Sequence, residues 1–292
     1  MRDYASELKS CQKLVEEELN TYFIEACAQS ELLEAMRYSL LAGGKRIRPV
    51  LLLKFCEASG GETEEALSAA CGIEMLHTYS LIHDDLPCMD NDALRRGKPT
   101  CHIVYGETNA VLAGDALQAA AFQAVLSGSA AAKRRADMAL ILAEAAGEAG
   151  MCGGQYLDMA VTGGETDEEG LHRLQLLKTG ALLSAACRMG AVCGGASAEQ
   201  LAAAALYAEN VGLAFQIRDD MLDVISSTDE LGKPVGSDSE NGKVTFATLL
   251  GLDECEKRIL SLTETAQNAV ADAFDDPGFL LWLAETLARR SR

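Results

Sequence analysis

The 292-residue chain has only five prolines, and its β-branched residues rarely fall in runs. No convincing strand pair is expected, and helices can run long without a breaker. Cations are scarce as well. Lysines and arginines number 25 against 44 aspartates and glutamates, for a net charge of −19. That balance argues against a nucleic-acid partner, which needs a basic patch. It leaves room for anionic ligands held by a few local cations. The ten cysteines contain no C-x-x-C pair, so neither a zinc site nor a disulfide framework is expected. A reducing, cytoplasmic compartment fits, with the cysteines as small core residues. No apolar stretch runs unbroken for 18 residues, and acids interrupt the N-terminus early. Neither a membrane span nor a targeting segment is expected from this pattern. Only four histidines are present, with no Ser-His-Asp set, Cys-His pair or glycine-rich dinucleotide loop. The common nucleophilic and nucleotide-binding chemistries therefore lack their parts.

What is abundant is alanine and leucine, within a hydrophobic content of 49%. The spacing of apolar residues predicts helices at about 4–28, 31–42, 50–59, 63–85, 107–127, 134–161, 167–189, 197–224, 245–274 and 278–289. Neither a long polar linker nor a repeat divides them. The expected fold is all-α, a single domain over residues 1–292.

Two acidic clusters stand out against this background. Asp84, Asp85, Asp90 and Asp92 fall within nine positions, followed at once by Arg95 and Arg96. Pro87 ends the preceding helix near Asp85 or Leu86. The first two aspartates then sit at a helix C-terminus, the end disfavoured for a carboxylate. Far downstream, Asp219 and Asp223 are i and i+4 on a helix, with Asp220 beside them. Like charges at that spacing destabilise a helix by about 0.2–0.5 kcal/mol per pair. Apolar neighbours Phe215, Ile217, Met221, Leu222 and Val224 limit water there and raise the cost. Closely spaced carboxylates without a His or Cys ligand set suit a hard divalent cation, most simply Mg²⁺. A solvated acidic turn is the plain alternative.

Cations are placed with equal economy. Gly43 and Gly44 end one helix, and Pro49 suits the first turn of the next. Lys45, Arg46 and Arg48 lie at that second helix's N-terminus, where backbone N–H groups already favour an anion. A basic surface loop is the alternative. Lys178 and Thr179 interrupt an apolar helix beside Gly180, so the lysine needs an acceptor or anion unless it snorkels to the surface. His77 is a candidate donor on the 63–85 helix. Gly153, Gly154, Gln155 and Asp158 interrupt the 134–161 helix with small and polar residues. The stretch from Ile225 to Lys243, which carries Lys233, is long and rich in Ser, Gly and Asp. Tethered to the second cluster, it reads as a lid or binding loop. Carboxylates for metal ions, scattered cations and long apolar helices describe a site for diphosphate groups on an apolar body. Departure of a metal-clamped diphosphate leaves a carbocation, which survives where water is excluded.

Several blocks, taken in order, carry a resemblance over nearly the whole chain. They are GGKRIRP at 43–49, EMLHTYSLIHDDLPCMDND at 74–92, LRRGKPT at 94–100, GD at 114–115, GGQYLD at 153–158, KTGALL at 178–183, FQIRDDMLD at 215–223 and GKVT at 242–245. With these the chain resembles the trans-isoprenyl diphosphate synthases of the bacterial type, and among them the farnesyl diphosphate synthases. The resemblance implies an all-α bundle around a central cavity, usually a homodimer, with three Mg²⁺ ions per loaded site. It implies that Asp84, Asp85 and Asp90 hold Mg²⁺ on an allylic diphosphate, and that Asp219, with Asp220 and Asp223, holds a further ion. Arg95, Lys178 and Lys233 would grip the allylic diphosphate. Lys45, Arg48, His77 and Arg96 would hold isopentenyl diphosphate, while Thr179 and Gln216 would face the carbocation. The implied reaction is ionisation, attack by the isopentenyl double bond, and proton loss to the departing diphosphate. Bulk at Tyr79, five residues before Asp84 and about 7.5 Å along the helix, would limit product length. Small Ser80 lies beside it. This pair resembles farnesyl rather than geranylgeranyl synthases. Where the family often has a further acid the chain has Ala93, and where it often has Tyr-Pro the chain has Phe246-Ala247. A longer-chain synthase is the alternative within the family. A terpene cyclase, an HD-type phosphohydrolase suggested by His83-Asp84, and a non-catalytic partner subunit are the rivals outside it.

Overall fold

The structure, a computed structural model, describes residues 2–25, 28–161, 166–225 and 244–290. It is built almost wholly of helices: α1 (Tyr4–Leu19), α2 (Ser30–Leu40), α3 (Ile47–Ala58), α4 (Thr63–Asp84), α5 (Cys101–Tyr105), α6 (Glu107–Ser127), α7 (Ala132–Ala146), α8 (Met151–Val161), α9 (Glu168–Gln175), α10 (Ala181–Gly194), α11 (Ala198–Ile225), α12 (Phe246–Leu250), α13 (Leu252–Ala273) and α14 (Gly278–Ala288). The all-α expectation holds.

The core is set by helices that are apolar on every side, as a helix must be when neighbours surround it. In α3, Val50, Leu51, Leu52, Leu53, Phe55 and Cys56 are all fully buried. Helix α4 runs between α3 and α6, and α10 packs across α3 and α7. Close approach here depends on small residues. A Cβ on Gly72 would sit 2.8 Å from the Ala121 carbonyl oxygen, so only glycine lets α4 and α6 lie this near. A second apolar cluster joins α11, α12 and α13 around Leu213, Ile217, Phe246 and Ile259. Two helical runs, Glu107–Ser127 and Glu168–Gly194, are long and apolar enough to cross a membrane by length and composition. Here they pack against α4 and α3 respectively.

Five expectations of local structure need correction, one of them the 245–274 helix, which is two helices parted at Gly251. The first helix stops at Leu19 rather than continuing to 28. The predicted 134–161 helix is two helices, broken between Gly147 and Gly150; the more conspicuous Gly153 and Gly154 lie inside α8. A two-residue hairpin, β1 (Leu94–Arg95) and β2 (Lys98–Pro99), does form. Its turn is Arg96-Gly97, both at positive φ (53° and 74°), which matches the twist of a type I′ hairpin. Finally, Leu176–Gly180 is a π-helical turn between α9 and α10.

Arg46 is the structural surprise of the basic loop. It turns inward at left-handed φ and is 2% exposed. Its guanidinium donates to Glu16 (2.6 Å), Glu74 (2.5 Å) and the Leu40 carbonyl (2.7 Å). This knot ties α1, α2 and α4 to the start of α3. Arg46→Ala would leave Glu74 buried without its main cation, and breaking such a pair costs about 3–5 kcal/mol. A loss of that size in the unfolding free energy from urea titration checks it.

Candidate active site

The first cluster takes its shape from the end of α4. The helix stops at Asp84, Asp85 caps it, and Pro87 follows. The chain then doubles back, and the Asp90 amide donates to the Asp84 carbonyl at 2.9 Å. Asp90 is thereby held beside Asp84. Burial, partly offset by Lys178 and reinforced by Asp90, pushes the Asp84 carboxyl up to about 6. Asp85 is 3% exposed, and burial raises it too, against the pull of Arg95. Arg95 meets Asp85 at 2.6 Å and Asp92 at 3.3 Å. A solvated acidic turn is excluded for Asp85 by this burial.

The hairpin turn sends Arg95 and Arg96 to different places. Arg95 stays with the carboxylates. Arg96 donates to the Gly43 carbonyl. A Cβ on Gly44 would lie 2.8 Å from the Arg96 guanidinium carbon, so the lack of a side chain at Gly44 is what admits the arginine.

Two cavities meet behind these groups. One, of about 480 Å³, is lined by Lys45, Arg48, His77 and Arg96, with Phe215 and Leu287 among its apolar walls. The other, of about 430 Å³, is lined by Asp84, Lys178, Tyr79 and Ser80, with Met89 and Leu182 among its apolar walls. Arg48, His77 and Thr179 line both. The four residues expected to hold isopentenyl diphosphate thus fall in one cavity. Lys178, Thr179, Tyr79 and Ser80 fall in the other.

The first cavity is built for an anion. Arg48 carries a buried Nε with no hydrogen-bond partner among the described residues, and a buried donor of that kind calls for an acceptor. Burial lowers the Arg48 guanidinium, and Arg96 lowers it further. Burial, then Arg48 and Arg96, hold His77 well below its ordinary value. At neutral pH its imidazole is uncharged and offers one N–H.

The π-helical turn joins the two carboxylate clusters. A π turn adds a residue to the helical register, and such turns recur at functional sites. Here it presents Lys178 and Thr179 together. Lys178 donates to Asp158 of α8 at 2.5 Å, so its acceptor is a carboxylate rather than the surface. A Cβ on Gly154 would collide with the Lys178 backbone, which is why α8 can lie against this turn. The Thr179 hydroxyl reaches Gln216 Oε1 at 3.4 Å, and Gln216 Nε2 reaches Asp220 at 3.5 Å. Both contacts are long.

In the second cluster, Asp220 and Asp223 are buried, at 5% and 4% exposure. Asp220 accepts the Phe246 amide at 2.9 Å and so anchors the start of α12. Phe246 itself is buried, consistent with a packing role for this departure from the family pattern. Asp219 pairs with Arg290, whose guanidinium stacks 3.6 Å from the Phe215 ring centre. Sequence reasoning missed Arg290; the available signal was a basic end following an apolar helix. Lys233 and segment 226–243, read as a lid, lie outside the described residues.

The donors suit a hard divalent cation. They are carboxylate oxygens, and Asp84 is raised by its burial and by Asp90 beside it. Among the described residues, no group of three or more His, Cys, Asp or Glu side chains forms a ready-made metal cage. An ion completed by water and phosphate oxygens fits such a sparse donor set.

The raised Asp84 predicts a pH effect on the metal-free protein. Its folded value of about 6 exceeds the ordinary 3.8, so the protonated form favours the fold. That contribution is fully present below about pH 4 and is lost as pH rises through 6, at a cost of about 3 kcal/mol. In chelator, Asp84→Asn is expected to melt higher than wild type at pH 7.5. The gap is expected to close towards pH 4.

Comparison with known proteins agrees with this geometry. The polyprenyl synthetase family matches residues 29–275. The chain is 41% identical to the farnesyl diphosphate synthase of Escherichia coli, covering 99% of this chain and 100% of that one. It is 50% identical to the chloroplastic geranylgeranyl pyrophosphate synthase 3 of Arabidopsis thaliana, over 80% of this chain and 67% of that protein. The first three plant relatives are spanned to between 63% and 67% of their length. The geranylgeranyl pyrophosphate synthetase structure from Pyrococcus horikoshii superposes with a TM-score of 0.90 at 32% identity, covering 98% of both chains. With cations, carboxylates and apolar walls converging on two joined cavities in this bundle, the chain belongs to the polyprenyl synthetase family, the trans-isoprenyl diphosphate synthases, and is a prenyltransferase of isoprenoid synthesis.

Proposed function

We propose that the protein condenses isopentenyl diphosphate head-to-tail with dimethylallyl and then geranyl diphosphate, and that it stops at the fifteen-carbon farnesyl diphosphate. The observation that carries this reading is one cavity lined by Asp84 and Lys178 together with Tyr79, a tyrosine only 6% exposed. Asp84, Asp85 and Asp90, with Asp219, Asp220 and Asp223, hold the Mg²⁺ ions. When bound, these ions supply the positive charge against which the allylic diphosphate departs. Arg95, Lys178 and Lys233 grip that diphosphate. Lys45, Arg48, neutral His77 and Arg96 orient isopentenyl diphosphate so that its double bond faces the carbocation. Thr179 and Gln216 turn oxygen dipoles towards the cation, and the apolar walls keep water away. The leaving diphosphate takes the proton.

The same reading has one polyprenyl synthase domain over 1–292 acting as a homodimer in the cytoplasm. Exposed Ile103, Val104, Val111 and Leu112 on α5 and α6 support a dimer face. Nine described cysteines, all free, support a reducing compartment. The two long apolar runs are core helices in this reading.

A twenty-carbon product is the second reading, favoured by similarity to the Arabidopsis and Pyrococcus geranylgeranyl synthases. Incubation with isopentenyl and dimethylallyl diphosphates, with Mg²⁺ or chelator, tests both. After dephosphorylation, Mg²⁺-dependent farnesol supports the first and geranylgeraniol the second. No condensation by folded protein would overturn the enzyme reading altogether. Tyr79→Ala is expected to lengthen the product by at least one isoprene unit on the same assay.

A further inference from the structure

Tyr79 of α4 does not bound the chain cavity by itself; α8 bounds it too. Across the cavity from α4, the Tyr79 hydroxyl meets the Cys152 thiol of α8 at 3.4 Å. Both residues line the 430 Å³ cavity. Tyr79 cannot easily swing away from this contact. Its ring stands edge-on to His83, with centres 5.6 Å apart, and His83 is itself held at 3.1 Å by the Val111 carbonyl of α6. Gly114 of α6 is open enough to seat that imidazole, because a Cβ there would collide with it. The phenol is therefore braced on α4 and α6, and its free edge is met by α8.

Helix α8 is equally constrained. Gly154 lies against the Lys178 backbone, and Asp158 accepts from the Lys178 ammonium. One short helix thus carries Cys152 at one end and the partner of the diphosphate-gripping lysine at the other. They are six residues apart, about 9 Å along the axis. A chain whose diphosphate end is fixed at Lys178 meets Cys152 at a distance that α8 helps to set through the Lys178–Asp158 pair.

We propose that Cys152 is a specificity-determining residue: the Tyr79–Cys152 bridge between α4 and α8 is the floor of the chain cavity, and α8 measures product length together with α4. The proposal rests on the fifteen-carbon reading for the direction of its shifts. It makes α8 part of the specificity machinery and gives Cys152 a role distinct from that of a core cysteine.

The test is product analysis of Cys152→Ala, Cys152→Phe, Tyr79→Phe and the double variant Cys152→Ala/Tyr79→Phe, at saturating isopentenyl diphosphate. Removing the thiol opens the floor. Discrimination by one small group in an apolar pocket is about tenfold or more, so Cys152→Ala is expected to raise the ratio of the next longer product about tenfold. Tyr79→Phe, which keeps the ring and loses the hydroxyl, is expected to shift it the same way. The double variant is expected to fall short of the sum of the two single shifts, because both break one contact. Cys152→Phe fills the floor and is expected to accumulate the next shorter product. Altered stability with unaltered products would mark Cys152 as merely structural. Wild-type product ratios in both Cys152→Ala and Cys152→Phe would overturn the proposal. The wild-type product reports separately on the fifteen-carbon reading: a twenty-carbon wild type would sink that reading, while a shortened product in Cys152→Phe would still support the bridge.

Discussion

Asp84→Ala is expected to lower condensation about a thousandfold or more while leaving the fold intact. The carboxylate occupies a position that stability alone would not choose. It ends α4, where the helix dipole opposes a negative charge. It is largely buried, and Asp90 is folded back beside it. The result is a carboxyl pushed up to about 6, ionised at neutral pH only against resistance. A divalent cation would offset the burial, the repulsion from Asp90 and the helix dipole at once. Removing the carboxylate removes a charge interaction aimed at the departing group. A loss of about 4 kcal/mol in transition-state stabilisation corresponds to about a thousandfold in rate. The same substitution relieves repulsion in the metal-free protein, so its melting temperature at pH 7.5 is not expected to fall. Activity lost without stability lost separates a site residue from a packing residue. A variant that retained more than a tenth of wild-type turnover would remove Asp84 from the ionisation step.

Much of this site could be read from the order of residues, and the parts that could not have a physical reason. Pro87 marks the end of α4 because a proline lacks the donor and clashes with the preceding turn. Asp84 and Asp85 followed from that stop. Gly43, Gly44 and Pro49 marked the loop before α3 in the same way. Arg46 was unreadable. In sequence it is one of three cations in a row; only the approach of α1, α2 and α4 turns it inward as a counter-ion for Glu16 and Glu74. The break before α8 was also misplaced. Gly153 and Gly154 look like a breaker, yet both stay helical; Gly154 lets the helix lie on the π turn, and Gly153 lies against the Glu148 carbonyl. Gly147 and Gly150, set in an alanine-rich stretch, make the break instead. The R-G turn of the hairpin carried a readable signal in its glycine at positive φ. The π turn carried none, since its extra residue shows only in the hydrogen-bond register. The contact between Tyr79 and Cys152 joins residues 73 positions apart, and no local pattern reports it.

The π turn makes Lys178 the second residue whose loss is expected to be severe. Lys178→Ala is expected to cut kcat/KM for the allylic substrate about a hundredfold or more, with a smaller effect on isopentenyl diphosphate. The ammonium sits between two carboxylates of different kinds. Asp158 accepts its hydrogen bond at 2.5 Å, while Asp84 is lowered by its charge from farther away. The first contact orients the lysine; the second leaves it facing the Asp84 end of the cavity. A charged donor preset in this manner loses little freedom when a diphosphate arrives, and an interaction of that type contributes about 3 kcal/mol or more to ionisation. Asp158→Asn tests the orienting step by itself. It keeps an acceptor oxygen for Lys178 and removes the charge, so its loss is expected to be several-fold smaller and to fall mainly on KM. Thr179, the next residue of the turn, shares its register with Lys178 and faces Gln216. Inserting or deleting one residue in 176–180 would therefore displace both groups together. If Lys178→Ala instead lost isopentenyl and allylic binding equally, the lysine would belong to the shared wall of the two cavities rather than to the allylic diphosphate.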